Sequence, residues 1–307
     1  GGIVFAGCRN VIVRHIRLRG GYDPLSVLDS RRVLISHVSA AWAADENMDA
    51  WGSRDVTFQW CILAEGLVHG GHEKGPHSMG SLQGGGAKRV TTHHNLFTGN
   101  VDRNPMVYGP RPRLPGEEPL YGPWRFDVLN NLIYNYWNGA KTRYFAHVNF
   151  MGNVFCPGPE TDPARPEILV ADSEEPAAIY CRDNLGPNRS ADDPQLALVW
   201  LPASDRPDEW RRWSATWAAT PSFPARFIAK RSFRTPRRAR VRLEPAAAVM
   251  ESVLAAAGAW PRDREDLRLL REVRQGKGRI GRYGHEWRQR YEAWQQDHDQ
   301  AHIPGNE

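Results

Sequence analysis

Four short stretches hold the residue types that could act on a charged substrate: DENMD at 45–49, HEKGPH at 72–77, HHNLF at 93–97 and DRNP at 102–105. Asp45 and Asp49 are four residues apart, so in an extended backbone both carboxylates point to one face. Asp23 lies one repeat earlier in the chain. Three converging carboxylates repel one another unless a cation sits among them, and hard oxygen ligands with room for water and substrate suit Ca2+. Taken alone, DENMD reads as a polar turn. Lys74 and Arg103 add positive charge near these acids, and His72 and His77 flank Lys74. The histidines have no fixed zinc-type spacing, so hydrogen bonding within a groove is the preferred reading of His69, His72, His77, His93 and His94.

The elements that must position these residues come from a repeat. Aligning NVIVRHIRL, RVLISHVSA, DVTFQWCIL, RVTTHHNLF, RFDVLNNLI, AHVNFMGNVF and AIYCRDNLG puts Ile16, Val38, Cys61, Asn95, Asn131, Asn153 and Asn184 in one column. The steps from Ile16 to Val38, Val38 to Cys61 and Asn131 to Asn153 are 22, 23 and 22 residues, and insertions lengthen the others. A period of this size is one coil of a β-solenoid, in which no coil buries its apolar side without neighbours above and below. Four asparagines in the column predict an internal bend where side-chain amides bond coil to coil and where Asn takes up left-handed backbone.

The bulk numbers fit a globular chain, which the repeat makes all-β. It has 307 residues, 41% of them hydrophobic, a mean hydropathy of −0.58 and a formal charge of +5. No apolar run approaches the roughly 20 residues needed to cross a bilayer, which argues against a membrane role. The basic balance favours an anionic partner; without an aromatic reader motif or a phosphate loop, nucleic acid is disfavoured. The chain opens at Gly1-Gly2-Ile3 inside strand-like sequence without a signal peptide or initiating Met, which predicts that upstream coils have been cut away. Cys61 falls in the core column, and a Cys156–Cys181 bridge is open from sequence. The repeat fades near residue 188. This predicts a solenoid over 1–187 and an extension over 188–307, Trp- and Arg-rich at first and then helical over PAAAVMESVLAAAGA, DREDLRLLREVR and HEWRQRYEAWQQ, packing along the solenoid.

With these motifs in hand, the chain resembles the pectate lyases of polysaccharide lyase family 1. The resemblance rests on DENMD, VTFQWCILAEGL, HEKGPH, HHNLFTGNVDRNP and NNLIYNYW, together with the tail VLAAAGAWPRDREDLRLLREVRQGKG. It implies a right-handed single-stranded parallel β-helix of the pectin lyase-like type, secreted or periplasmic and monomeric. It also implies a Ca2+-dependent lyase that cleaves pectate or a related acidic polysaccharide by β-elimination. Carried over by position, Asp23, Asp45 and Asp49 match the calcium carboxylates, Lys74 the lysine that contacts a substrate carboxylate, and Arg103 the proton-abstracting arginine; His72 and His77 fall beside the substrate.

The sequence departs from that pattern in two places. The family's Ile-Asp-His reads Ile35-Ser36-His37, and basic positions after the arginine hold Met106 and Tyr108. Arg111 and Arg113 in the inserted loop are candidates to supply replacement charge to the substrate. Arginine is a poor base, with a pKa above about 12, so the implied mechanism predicts an alkaline optimum and leaves the histidines as a competing base. Two other readings remain open: an inverting glycoside hydrolase, whose acid and base stand roughly 6.5–9.5 Å apart, and a catalytically silent carbohydrate-binding solenoid.

Overall fold

In the computed structural model, the structure describes residues 2–110, 124–163, 165, 167–170, 177–187, 189, 194–202, 217–219, 228–233 and 241–281. The strands form three sheets, and each full coil gives one strand to each. The nine-stranded sheet runs through Ile3–Ala6, Leu25–Leu28, Glu46–Trp51, Met79–Gly84, Met106–Tyr108, Ala140–Arg143, Ile168–Val170 and Val199–Pro202, and ends in the antiparallel Trp217–Ala219. The seven-stranded sheet stacks Arg9–Arg14, Arg31–Ser36, Arg54–Gln59, Lys88–His93, Arg125–Leu129, His147–Met151 and Ala178–Arg182. The third sheet stacks six three-residue strands, from Arg17–Arg19 to Val154–Cys156. All pairs but one are parallel, which is the right-handed parallel β-helix expected. Sheet pairing continues past residue 187 at Val199–Pro202, beyond the point where the sequence repeat fades.

Register makes the core a set of columns. Val11, Val33, Val56, Val90, Phe126, Val148 and Ile179 pair in sequence across the seven-stranded sheet, and from Val33 onward these side chains are fully buried. The asparagine column is present as expected. Asn95 Nδ2 donates to Asn131 Oδ1 at 3.0 Å, Asn131 Nδ2 to Asn153 Oδ1 at 3.0 Å and Asn153 Nδ2 to Asn184 Oδ1 at 2.9 Å, all four residues being buried. The left-handed backbone, however, belongs to the residue before the column: His15, His37, Trp60, His94, Asn130, Gly152 and Asp183 all have φ between 48° and 66°. The column asparagines serve as amide bridges, and the residue before each one makes the bend.

Two helices follow. Pro245 precedes α1 (Ala246–Ala256), and Asp263 caps α2 (Arg264–Arg274) by accepting the Asp266 N–H. Val249, Val253, Leu254, Leu269, Leu270 and Val273 bury themselves against Ala41, Ile62, Ala64, Leu96, Leu132 and Tyr134 of the six-stranded sheet. Buried Asp266 anchors α2 to the first coils through Arg17, Arg19 and Ser39. The helical stretch expected at HEWRQRYEAWQQ lies outside the described residues. All four cysteines are free thiols, so the Cys156–Cys181 bridge is not formed.

Candidate active site

Asp23, Asp45 and Glu46 converge at the edge of the nine-stranded sheet where its strands begin, with one carboxylate oxygen from each within 4.8 Å of the others. The convergence follows from parallel stacking, because Asp23 leads into Leu25–Leu28 just as Asp45 leads into Glu46–Trp51, one coil on. The Glu46 backbone N–H donates to Asp23 Oδ1 at 3.0 Å, which ties the two turns together. Asp49 stands further along the strand, in register with Ser26, and outside this cluster. Glu46, which the sequence did not assign to the metal, joins Asp23 and Asp45 in this cluster, and Asp49 lies near enough to feel the charge of both. The signal for Glu46 was its place directly after Asp45, but alternation along an extended strand favoured the i, i+4 pair.

These carboxyls are crowded and sheltered. Burial, followed by the charge of Asp45, pushes the Asp23 carboxyl up to about 6. Burial pushes Asp49 up to about 7, with Asp23 and Asp45 adding to the rise and a hydrogen bond with Ser26 opposing it. Asp49 Oδ1 is buried and accepts no hydrogen bond. An all-oxygen set with excess negative charge and an orphaned buried oxygen beside it fits a hard divalent cation such as Ca2+.

Arg103 sits on the same face. Its Nη1 contacts the Glu46 carboxylate and lies 3.5 Å from Asp45 Oδ1. Its backbone has φ +60°, costly for a non-glycine residue, and the surroundings hold it there. The Arg103 N–H donates to Asp102 Oδ1 at 2.7 Å, and its carbonyl accepts from the Ser81 N–H at 2.7 Å. Gly80 permits this approach, since a Cβ there would stand 2.6 Å from the Arg103 carbonyl oxygen. Beneath it, Asp102 pairs with Lys141, both buried, and burial lowers the Lys141 ammonium to about 8. Neighbouring Asn104 belongs to a second buried amide network that the sequence did not reveal: Asn47 Nδ2 donates to Asn100 Oδ1 at 3.0 Å and Asn100 Nδ2 to Asn104 Oδ1 at 3.1 Å.

The HEKGPH loop closes over Asp45. His72 Nδ1 accepts the Lys74 N–H at 3.0 Å, so its Nε2 carries the proton and donates to Asp45 Oδ2 at 3.2 Å. The His77 ring stacks on His72 at 3.6 Å, its Nδ1 donates to the Gly75 carbonyl at 3.0 Å, and its Nε2 is 3.7 Å from Asp45 Oδ1. Lys74 is exposed on this loop. His93 and His94 are not at this site; they end a strand of the seven-stranded sheet. Burial, with His94 beside it, lowers His93 to about 3, and the pair bonds to Gln59 and Glu244. Both histidines thus lie on a different sheet from the carboxylate cluster. Met106 and Tyr108 are buried in the strand after Arg103. Arg111 and Arg113 lie outside the described residues.

Carboxylates, a guanidinium and a lysine-bearing loop thus gather along one sheet of a β-helix. Comparison with known proteins relates the chain to pectate lyases. It is 32% identical over 173 residues to the probable pectate lyase C of Aspergillus flavus, a match covering 51% of this chain and 35% of that protein. It is 28% identical over 124 residues to the pectate trisaccharide-lyase of Thermotoga maritima, covering 35% and 32%. The chain thus spans about a third of the length of the curated relatives it matches. Its fold resembles that of the thermostable pectate lyase PL 47, with a TM-score of 0.54 and 17% identity over 86% of this chain and 65% of that one. It also resembles pectate lyase II from Xanthomonas campestris pv. campestris, with a TM-score of 0.51 and 18% identity over 84% and 72%. No protein-family model matches the chain.

Proposed function

We propose that this chain carries the catalytic cleft of a lyase that cleaves pectate or a related polyuronate by β-elimination. The observation that carries the reading is the meeting of Arg103 with the Asp23–Asp45–Glu46 cluster on one face of the solenoid. A uronate's C5 hydrogen is acidified by the adjacent carboxylate, and elimination needs a base on that hydrogen and positive charge around the enolate-like transition state. Arg103 takes the C5 proton as the C4 oxygen leaves. Lys74 reaches from its loop to a substrate carboxylate. His72 orients Asp45, and Asp102 fixes the backbone that presents Arg103. Asp23, Asp45 and Glu46, with Asp49 beside them, would hold Ca2+, which when bound neutralises charge on the substrate carboxylate. A polymeric substrate of this kind is met outside the cytoplasm, in keeping with a secreted or periplasmic protein.

Lyase products carry a carbon–carbon double bond and absorb ultraviolet light. Turnover of polygalacturonate should raise that absorbance and stop on chelation. New reducing ends without absorbance would replace the lyase with a hydrolase. Arg103→Lys should lower kcat roughly 10²–10⁴-fold with calcium affinity nearly unchanged, and an effect on KM alone would remove Arg103 as the base.

A further inference from the structure

One corner of the solenoid, away from the cleft, carries an ordered column of positive charge. Arg9 pairs in register with Arg31, Arg31 with Arg54 and Arg54 with Lys88, so that four basic side chains begin consecutive strands of the seven-stranded sheet. Strands stack about 4.8 Å apart, so the column runs about 14 Å parallel to the solenoid axis. The corner is built rather than loose. Just before the column, the Cys8 N–H donates to Ser30 Oγ and the Ser30 N–H to Ser53 Oγ, both at 2.9 Å. Just after it, Asn10, Arg32, Asp55 and Arg89 all take left-handed backbone, with φ of 55° to 57°. Arg32 and Arg125 add further charge in that second row. Asp55 is engaged by Arg89 through bonds of 2.6 and 2.7 Å, and the Lys88 ammonium lies 5.9 Å from the Trp124 ring.

The four side chains form one column of like charge along the solenoid axis. Its charges recur along one line at a spacing comparable with one sugar residue of an extended uronate chain. That regularity suits a linear polymer with one carboxylate per residue. The strip and the Asp23–Asp45–Glu46 cluster lie at opposite ends of the strands of the nine-stranded sheet, about 20 Å apart. We propose that Arg9, Arg31, Arg54 and Lys88 form an accessory track for a linear polyuronate, which holds the protein on polymer while the cleft engages separately. The inference rests on the lyase reading only for the choice of polyanion.

The test is retardation of the protein in gels containing polygalacturonate, at low salt and with chelator present so that cation-dependent binding in the cleft is suppressed. R9Q/R31Q/R54Q/K88Q should bind about tenfold more weakly, since each exposed charge contributes modestly. Its turnover of a short oligouronate and its melting temperature should match the wild type. The control R182Q/R264Q/R271Q/R274Q removes the same charge from exposed positions elsewhere and should bind normally. R9Q/R54Q, which changes two exposed positions only, gives the same direction of effect if the quadruple variant misfolds. Equal retardation of wild type and strip variant, an equal loss in the control, or tighter binding of the wild type to duplex DNA than to polygalacturonate would overturn the proposal. Because the assay needs no turnover, an inactive wild type that is still retarded through the strip would sink the lyase reading and leave the track standing.

Discussion

The carboxylate cluster should make the chelated protein less stable as pH rises. Asp23 and Asp49 have ordinary pKa values of 3.8 and are raised in the fold to about 6 and about 7. Between those limits the folded chain binds more protons than the unfolded one, so the unfolding free energy falls with rising pH. The penalty is absent below about pH 4 and complete above about pH 7. For Asp49 alone the ceiling is about 4 kcal/mol, from 1.36 kcal/mol per tenfold change in proton affinity. Partial exposure and the shared field of Asp45 bring the expected loss to about 2 kcal/mol. In a chain of 307 residues that is about 3 °C in Tm.

Scanning calorimetry in chelator from pH 4 to 8 would show the decline in wild type, and Asp49→Asn should flatten it. Millimolar Ca2+ should restore stability at pH 8, because a ligand of the folded state alone stabilises it by mass action. Parallel curves for wild type and Asp49→Asn would refute the argument for a raised Asp49. A calcium-insensitive Tm at pH 8 would refute the cluster as a hard-cation site.

Two further substitutions probe the scaffold. Asn131→Leu removes the acceptor of the Asn95 N–H and the donor to the Thr92 carbonyl, two buried groups at about 1–3 kcal/mol each, so denaturant unfolding should report a loss of about 2–6 kcal/mol. Lys141→Met leaves the Asp102 charge buried without its ion-pair partner and should cost about 3–5 kcal/mol, most of it regained in Asp102→Asn/Lys141→Met; a double variant as unstable as the single would mean that the pair is not the cause.

What could be read from the sequence was whatever repeats with the coil. The period and the Asn95–Asn131–Asn153–Asn184 column follow from the repeat and from amides that satisfy one another, and both are present in the fold. The charged cluster was only partly legible. Asp23 and Asp45 meet as expected, but the approach of Glu46 to them depends on how the chain enters the strand, where simple alternation fails. The Asp102–Lys141 pair joins residues 39 apart across a long insertion, and no local pattern marks it. His93 and His94 lie between HEKGPH and DRNP in sequence, yet the coil turns them onto a different sheet from the carboxylate cluster.

The substitutions at 106 and 108 acquire a physical meaning from the same stacking. Met106 is in register with Lys141 and Tyr108 with Arg143, so the next strand carries basic side chains opposite the positions where the resembled family has them. They are not equivalent replacements. Lys141 is buried against Asp102, where its charge supports the carboxylate that caps the Arg103 backbone. Arg143 lies over the Tyr144 ring, 3.8 Å from its centre. Lys141 and Arg143 are thus both engaged by neighbouring side chains. If the chain is a lyase, grip on the substrate carboxylates falls to Lys74 and the cation cluster. Loss of Lys74 should therefore raise KM more than it lowers kcat, whereas loss of Lys141 should act through stability.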